Sequence, residues 1–285
     1  MIQSMTGYGK AVIQLPSKKI SIEIKSLNSK SLDLNARVPS TYREKELQMR
    51  NKLAKSLMRG KIDFSLYIET NGDAISTQVN EEVVAAYMKQ LGNVADGDPV
   101  DLLKMAIRMP DALKTEREEI DETEFKAILE GIDEALEAIN KYRSDEGAVL
   151  KADFEKRIHK IAALLEAVIE VDPQRIANVK ERLNKALSDL KEKVDENRFE
   201  QELIYYLEKY DITEEKVRLQ NHLEYFLESL SSKDSNGKKL GFITQEIGRE
   251  INTIGSKSNF AEMQQLVVQM KDELEKIKEQ ALNVL

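Results

Sequence analysis

Two short stretches carry the side chains best suited to chemistry on a phosphate. In "EEKVRLQNH" (214–222), Glu214, Glu215, Arg218 and His222 fall at helical spacings down one side. In "GKKLGFITQEIGREINTIGSKS" (237–258), an apolar stripe of Leu240, Ile243, Ile247, Ile251 and Ile254 backs a polar side with Gln245, Glu246, Arg249, Glu250, Asn252 and Thr253. A short loop joins the two segments, so they are expected to pack as antiparallel neighbours with their polar stripes facing. One imidazole and two or more carboxylates suit a hard or borderline divalent ion such as Mn²⁺ or Mg²⁺, with His222, Glu214, Glu215, Glu246 and Glu250 as donors. The same groups could instead supply a general acid and base without metal. Such spacing is also that of solvated Glu–Arg pairs worth a few tenths of a kcal/mol, and spacing by itself favours this plainer reading.

Other chemistries have little to stand on. The chain has 285 residues, only two histidines, and no cysteine or tryptophan, which excludes disulfides, zinc–thiolate sites and iron–sulfur clusters. No GxSxG, phosphate-loop or HExxH pattern occurs, and "GYG" at 7–9 lacks the context of a dinucleotide fingerprint. His159 lies among basic neighbours inside a long helical pattern and reads as structural. The formal charge of −8 argues against coating nucleic acid by bulk electrostatics, yet allows a local basic groove. No apolar run reaches the ~20 residues of a membrane span, and "MIQSMTGYGK" has no signal-peptide core. A cytoplasmic protein with no membrane association is expected.

The elements that must position these groups divide the chain. Up to about residue 70 the pattern has period two: Ile20, Ile22 and Ile24, then Leu32, Leu34, Ala36 and Val38, then Ile62, Phe64, Leu66 and Ile68. "LPSKK" (15–19) reads as a hairpin turn. A helix over 41–59 begins at a Thr41/Glu44 capping box and carries a Leu47, Leu53 and Leu57 stripe. This predicts β-β-β-α-β, a mostly antiparallel sheet with a packed helix. From Asn80 onward the period is helical, so the fold class is α+β with a long all-helical C-terminal region. The expected divisions are 1–115, an α+β domain; 116–200, a long helical hairpin or extended arm suited to oligomerisation; and 201–285, a helical domain that holds both polar stretches. "DPQ" (172–174) is expected to break the helix, and Asp211/Glu214 and Asn259/Glu262 to cap later ones. A basic set (Lys25, Asn28, Lys30, Arg37, Arg43, Arg50, Arg59 and Lys61) could line one rim of the sheet. With few aromatics, it suits phosphate contact better than base stacking; a scatter of surface charges is the alternative.

Taken in order, "SMTGYG", "EIKSLNSKSLDLNARVP", "RGKIDFSLYIE", "EEKVRLQNH" and "GKKLGFITQEIGREINTIGSKS" resemble the YicC/YloC family of bacterial proteins. The resemblance runs from residue 4 to the C-terminus and is strongest at the two ends. It implies a metal-dependent endoribonuclease of bacterial RNA turnover, assembled as a hexamer. It further implies that His222, Glu250, Arg249 and Arg218 are catalytic, that Asn28, Lys30, Arg37, Arg59, Lys61 and Lys257 contact RNA, and that other RNA-decay enzymes are partners. Arg143, Glu146 and Gly147 in "RSDEG" also match the family. Gly241 and Gly248 stand where the family usually has Asp and Asn, and Lys30 where it commonly has Arg. The alternative reading is a non-catalytic oligomeric adaptor that presents RNA to another nuclease.

Overall fold

The computed structural model of the protein describes residues 2–16, 18–70, 77–115, 120–189, 196–232 and 237–285. Four N-terminal strands, β1 (Gly7–Gln14), β2 (Lys18–Leu27), β3 (Leu32–Arg37) and β4 (Gly60–Thr70), form one sheet in the order β1-β2-β4-β3. The first two pairings are antiparallel; β3 runs parallel to β4. The mixed sheet follows from the helix between β3 and β4, which returns the chain in the same direction. Register sets Ile22 opposite Leu66 and Ile24 opposite Phe64, so the period-two residues share one buried face.

A 3-10 turn (Ser40–Lys45) and helix α1 (Glu46–Ser56) cover that face. Met49, Leu53 and Leu57 are the buried residues there, whereas Leu47 is 68% exposed, so the expected stripe is shifted. The Thr41/Glu44 capping box does not form either; no side chain caps the turn. Tyr42 instead points into the core with its hydroxyl on Glu124, and that anchor fixes how the chain enters α1. Beyond β4, β5 (Thr77–Val79), α2 (Glu81–Val94), α3 (Pro99–Ala106) and β6 (Leu113–Thr115) make a small unit around Val84, Ala106 and Ala112. Asp98 caps α3 through the Val100 amide at 2.9 Å, with Pro99 in the first helical position.

Helix α4 (Glu122–Asp189) is continuous for 68 residues, about 100 Å at 1.5 Å per residue. The segment expected as a hairpin or an arm is thus a single rod. Its first half packs Phe125, Ile128, Ile132, Ala135 and Ile139 on the sheet. Its second half packs Phe154, Ile158, Ile161, Leu165 and Val168 against a three-helix cluster formed by α6 (Thr213–Ser231), α7 (Gly237–Lys257) and α8 (Ala261–Ala281). Between α4 and α6 in the chain lies α5 (Glu196–Lys209).

The break expected at "DPQ" is absent: Pro173 sits inside α4. A proline there forfeits one backbone hydrogen bond and costs roughly 3 kcal/mol. A buried ion network on the same turn opposes that cost. The Asp172 carboxylate accepts from Arg175 at 2.7 Å and from Lys216 of α6 at 2.8 Å. Asp211 accepts from the Thr213 amide and hydroxyl at the start of α6, and these bonds lower its carboxyl pKa. Asn259 does not cap α8; Gln264 closes that turn by donating to the carbonyls of Gly255 and Ser258, both at 2.6 Å.

Glu273 of α8 is buried against α4 and accepts from Lys160 at 2.7 Å, Arg157 at 3.0 Å and its own neighbour Lys276 at 3.1 Å. Led by Lys160, these cations outweigh desolvation and pull the carboxyl down to about 2 from an ordinary 4.5. A carboxylate depressed in the folded state contributes stability above its unfolded pKa and loses it as pH falls through the folded value. Melting temperature should therefore fall between pH ~4.5 and ~2, and Glu273→Gln should flatten that limb. Parallel acid melts of the two proteins check it.

The N-terminal peptide is clasped between α4 and the C-terminal residues. Ser4 bridges Val284, the Met5 amide donates to Asn283 at 2.8 Å, and the Leu285 amide donates to Gln3 at 2.9 Å. From α4, the Arg143 carbonyl accepts from the Ser4 amide at 3.0 Å, and Glu146 accepts from the Thr6 hydroxyl at 2.6 Å. Arg143 is 1% exposed, and its guanidinium donates to the Ser26 hydroxyl and the Met5 carbonyl; burial lowers its pKa. A Cβ on Gly147 would lie 2.2 Å from the Ile2 carbonyl oxygen. "SMTGYG" and "RSDEG" are the two sides of this clasp. Among the described residues no helix is long and apolar enough to cross a membrane.

Candidate active site

Helices α6 and α7 pack antiparallel, and two side-chain contacts tie them together. Lys257 Nζ binds Glu215 Oε1 at 2.7 Å near one end, and Lys239 lies 4.8 Å over the Tyr225 ring toward the other. Two helical turns along α6 from Glu215 comes His222. Two turns back along α7 from Lys257 comes Glu250. His222 and Glu250 thus lie on two packed helices, the imidazole half-buried and the glutamate buried.

Their surroundings differ from those of the other acidic residues. Glu250 is 4% exposed, yet no hydrogen bond or ion pair among the described residues reaches its carboxylate. His222 is half-buried and equally free of a described partner. Glu215 is buried, with Oε1 held by Lys257 and Oε2 without a hydrogen-bond partner. Glu214 pairs with Arg218 on the exposed side of α6. Glu246 is exposed and no nearer than 4.0 Å to Arg249, whose side chain is three-quarters exposed. The candidate residues are thus a half-buried His222 and a buried Glu250 on neighbouring helices, with exposed Arg218, Arg249 and Glu246.

Among the described residues, no three His, Asp or Glu side chains converge at metal-ligand spacing. The donors at hand suit a cation that takes one or two carboxylates and completes its shell with water and substrate phosphate, which is the habit of Mg²⁺. An imidazole beside them also suits Mn²⁺. His222, Glu246 and Glu250 offer such donors; Glu214 pairs with Arg218, and Glu215 holds Lys257 through Oε1 while Oε2 has no partner.

The expected RNA-contacting residues fall in three places. Asn28, Lys30, Arg59 and Lys61 sit together where β2 ends and β4 begins. Here Arg59 Nε donates to the Ser29 carbonyl at 2.9 Å, and the Asn28 amide donates to the Leu282 carbonyl at 2.6 Å. Arg37 lies at the far end of β3, about 16 Å away by strand rise. Lys257 is on α7, its ammonium shared by Glu215 and the Asp211 carbonyl. The sheet rim is therefore tied to the C-terminal tail, while Lys257 belongs to the helical seam.

Sequence reasoning did not find Lys278. This α8 side chain joins Gln245, Gly248, Arg249 and Asn252 of α7 around an open groove of about 550 Å³. The α8 pattern marked it only as another exposed lysine; its use depends on where α8 docks.

Fold and site together define a helical-hairpin protein with an acid–imidazole seam, docked through one long helix to a mixed-sheet domain. The family models named Endoribonuclease YicC-like, N-terminal region, and Endoribonuclease YicC-like, C-terminal, match residues 2–152 and 168–285, so the chain belongs to the YicC-like family. It is 32% identical to a "Probable endoribonuclease YicC" of Clostridioides difficile and 30% identical to one of Haemophilus influenzae, in each case over the full length of both proteins.

Proposed function

We propose that this chain is an endoribonuclease of bacterial RNA turnover that cleaves phosphodiester bonds at the α6–α7 seam with help from Mn²⁺ or Mg²⁺. The observation that carries the reading is Glu250: a residue 4% exposed whose carboxylate no described side chain holds, on the helix packed against the one that carries His222. A carboxylate that its own chain leaves unpaired is available to a cation or to a proton in transfer. The full-length relatives named as probable endoribonucleases supply the substrate class.

In this reading His222 exchanges the proton of the attacking or leaving oxygen, and Glu250 orients the ring. Arg218 and Arg249, both exposed and long enough to swing inward, meet charge developing on the scissile phosphate. Glu250, with Glu246 at the rim, would hold the cation, whose contribution when bound is to polarise a phosphate oxygen. The basic rim of Asn28, Lys30, Arg59 and Lys61 holds more distant RNA backbone.

The same proposal places the protein in the cytoplasm as a homo-oligomer, hexameric in the manner its family resemblance implies, working with other RNA-decay enzymes. Exposed Ile204, Tyr205 and Tyr206 on α5 give such an assembly an apolar surface to cover. The direct test incubates labelled RNA with the purified protein, with Mn²⁺ or Mg²⁺ and with chelator. Internal cleavage that chelator abolishes is the expected result. Binding without cleavage would sink the nuclease reading in favour of an adaptor that presents RNA.

A further inference from the structure

We infer that the α7–α8 groove is a separate binding subsite for the sugar-phosphate backbone of the RNA strand, with Lys278 as its principal phosphate contact. The inference rests on RNA being the ligand of this protein, and it adds a surface on the opposite side of α7 from the His222–Glu250 seam.

Four observations converge on the groove. It has about 550 Å³ of space, within the range of small-ligand sites, and is open along its length rather than closed into a pit. Its lining holds Arg249 and Lys278 and no Asp or Glu, in a chain whose formal charge is −8. Neither cation is strongly held from within. Lys278 has only an exposed pairing with Glu275 one turn away at 2.7 Å, and Arg249 is 4.0 Å from Glu246. The side-chain amides of Gln245 and Asn252 are exposed and have no described partner.

Gly248 makes the room. A Cβ at that position would stand 3.2 Å from Leu274 Cδ2 and 3.7 Å from Lys278 Nζ, so the ammonium lies over bare helix backbone. Two cations flanked by neutral amides match a phosphodiester with a ribose hydroxyl beside it. The lining has no aromatic residue on which a base could stack, so contact is with the backbone and tolerant of sequence. Arg249 faces solvent between the groove and Glu246 on the seam side of α7. A strand crossing the roughly 10 Å width of the helix would set one phosphate in the groove and a neighbouring one at the seam.

The test measures binding apart from cleavage. Anisotropy of a labelled single-stranded RNA is titrated with the full-length protein in chelator, across a range of salt. Lys278→Gln should weaken binding roughly tenfold and reduce the slope of log affinity against log salt by about 0.7, one single-strand phosphate contact. Asn252→Ala should weaken binding several-fold and leave that slope unchanged. Lys276→Gln, a neighbouring lysine turned to Glu273, should keep the wild-type slope. Wild-type binding by both groove variants overturns the subsite, and so does an equal slope change from Lys276→Gln. Displacement of the RNA by adenosine monophosphate at the strand's own concentration would overturn the strand as ligand; displacement only in large excess supports it. Cleavage in Mn²⁺ is scored separately. Lys278-dependent binding without cleavage defeats the nuclease proposal and leaves the groove standing, whereas cleavage with binding indifferent to Lys278 does the reverse.

Discussion

Gly9→Ala is expected to destabilise the protein by about 3 kcal/mol or more, while the same change at Gly241 stabilises it by up to about 1 kcal/mol. A Cβ on Gly9 would lie 2.0 Å from the Ala135 carbonyl oxygen and 3.0 Å from the Ile139 amide nitrogen. Both neighbours are backbone of α4, and neither can rotate away. The strand or the rod must move, and the rod carries the core that packs on the sheet and the core that packs on α6, α7 and α8. Around Gly241 nothing lies within 4 Å, so alanine there only restricts the unfolded chain and favours the helix. Urea melts of the two single variants beside the parent decide the matter. A Gly9→Ala protein that melts with the parent would mean that β1 and α4 are not in backbone contact. An uncompensated loss at Gly241 would mean that its Cβ meets something the open surface does not show.

That pair of glycines also marks the limit of what the residues alone disclose. The alternation of Ile20, Ile22 and Ile24 with polar neighbours shows a strand and its buried side, because side-chain direction has period two. It says nothing of partners, so the parallel placement of β3 on β4 was not legible. The α1 stripe was half legible: Leu53 and Leu57 are buried as the period requires, but Tyr42 sets the helix phase and turns Leu47 out. Pro173 reads as a stop because local rules weigh only the lost amide. The Asp172–Arg175–Lys216 network that holds the turn depends on a residue of α6 far along the chain. "SMTGYG" and "RSDEG" could be matched to a family, but their shared work as a clasp exists only once α4 lies across both. At the site, the residue types were legible, since a chain with two histidines leaves few choices. The register was not. One ion pair, Lys257 with Glu215, ties the two polar stripes together, and no spacing within either helix contains that information.

Glu250→Gln should abolish cleavage and, at the same time, leave the protein at least as stable as before. The two effects have one cause. The residue is 4% exposed and its carboxylate meets no cation or donor among the described residues, so the folded state draws no internal bond from the charge. Glutamine keeps the shape and removes the charge, so melting temperature should stay within about 2–4 °C of the parent or rise. A residue with a merely structural role in the seam would show the opposite, since the isostere would lose whatever interaction held it. For cleavage, losing the group that orients the imidazole and helps hold a cation should lower the rate by 10²-fold or more, within the roughly 10²–10⁴ range of acid–base effects. His222→Ala should fall as far, and the double variant little further, because the pair acts as a unit. The measurements are single-turnover cleavage of labelled RNA at saturating protein with Mn²⁺, and thermal melts of the same preparations. Retained cleavage in Glu250→Gln would remove the seam as the site of chemistry. A drop in melting temperature together with lost cleavage would reduce Glu250 to a structural residue, whereas stability that is retained with no activity is the signature of a group kept for its reaction.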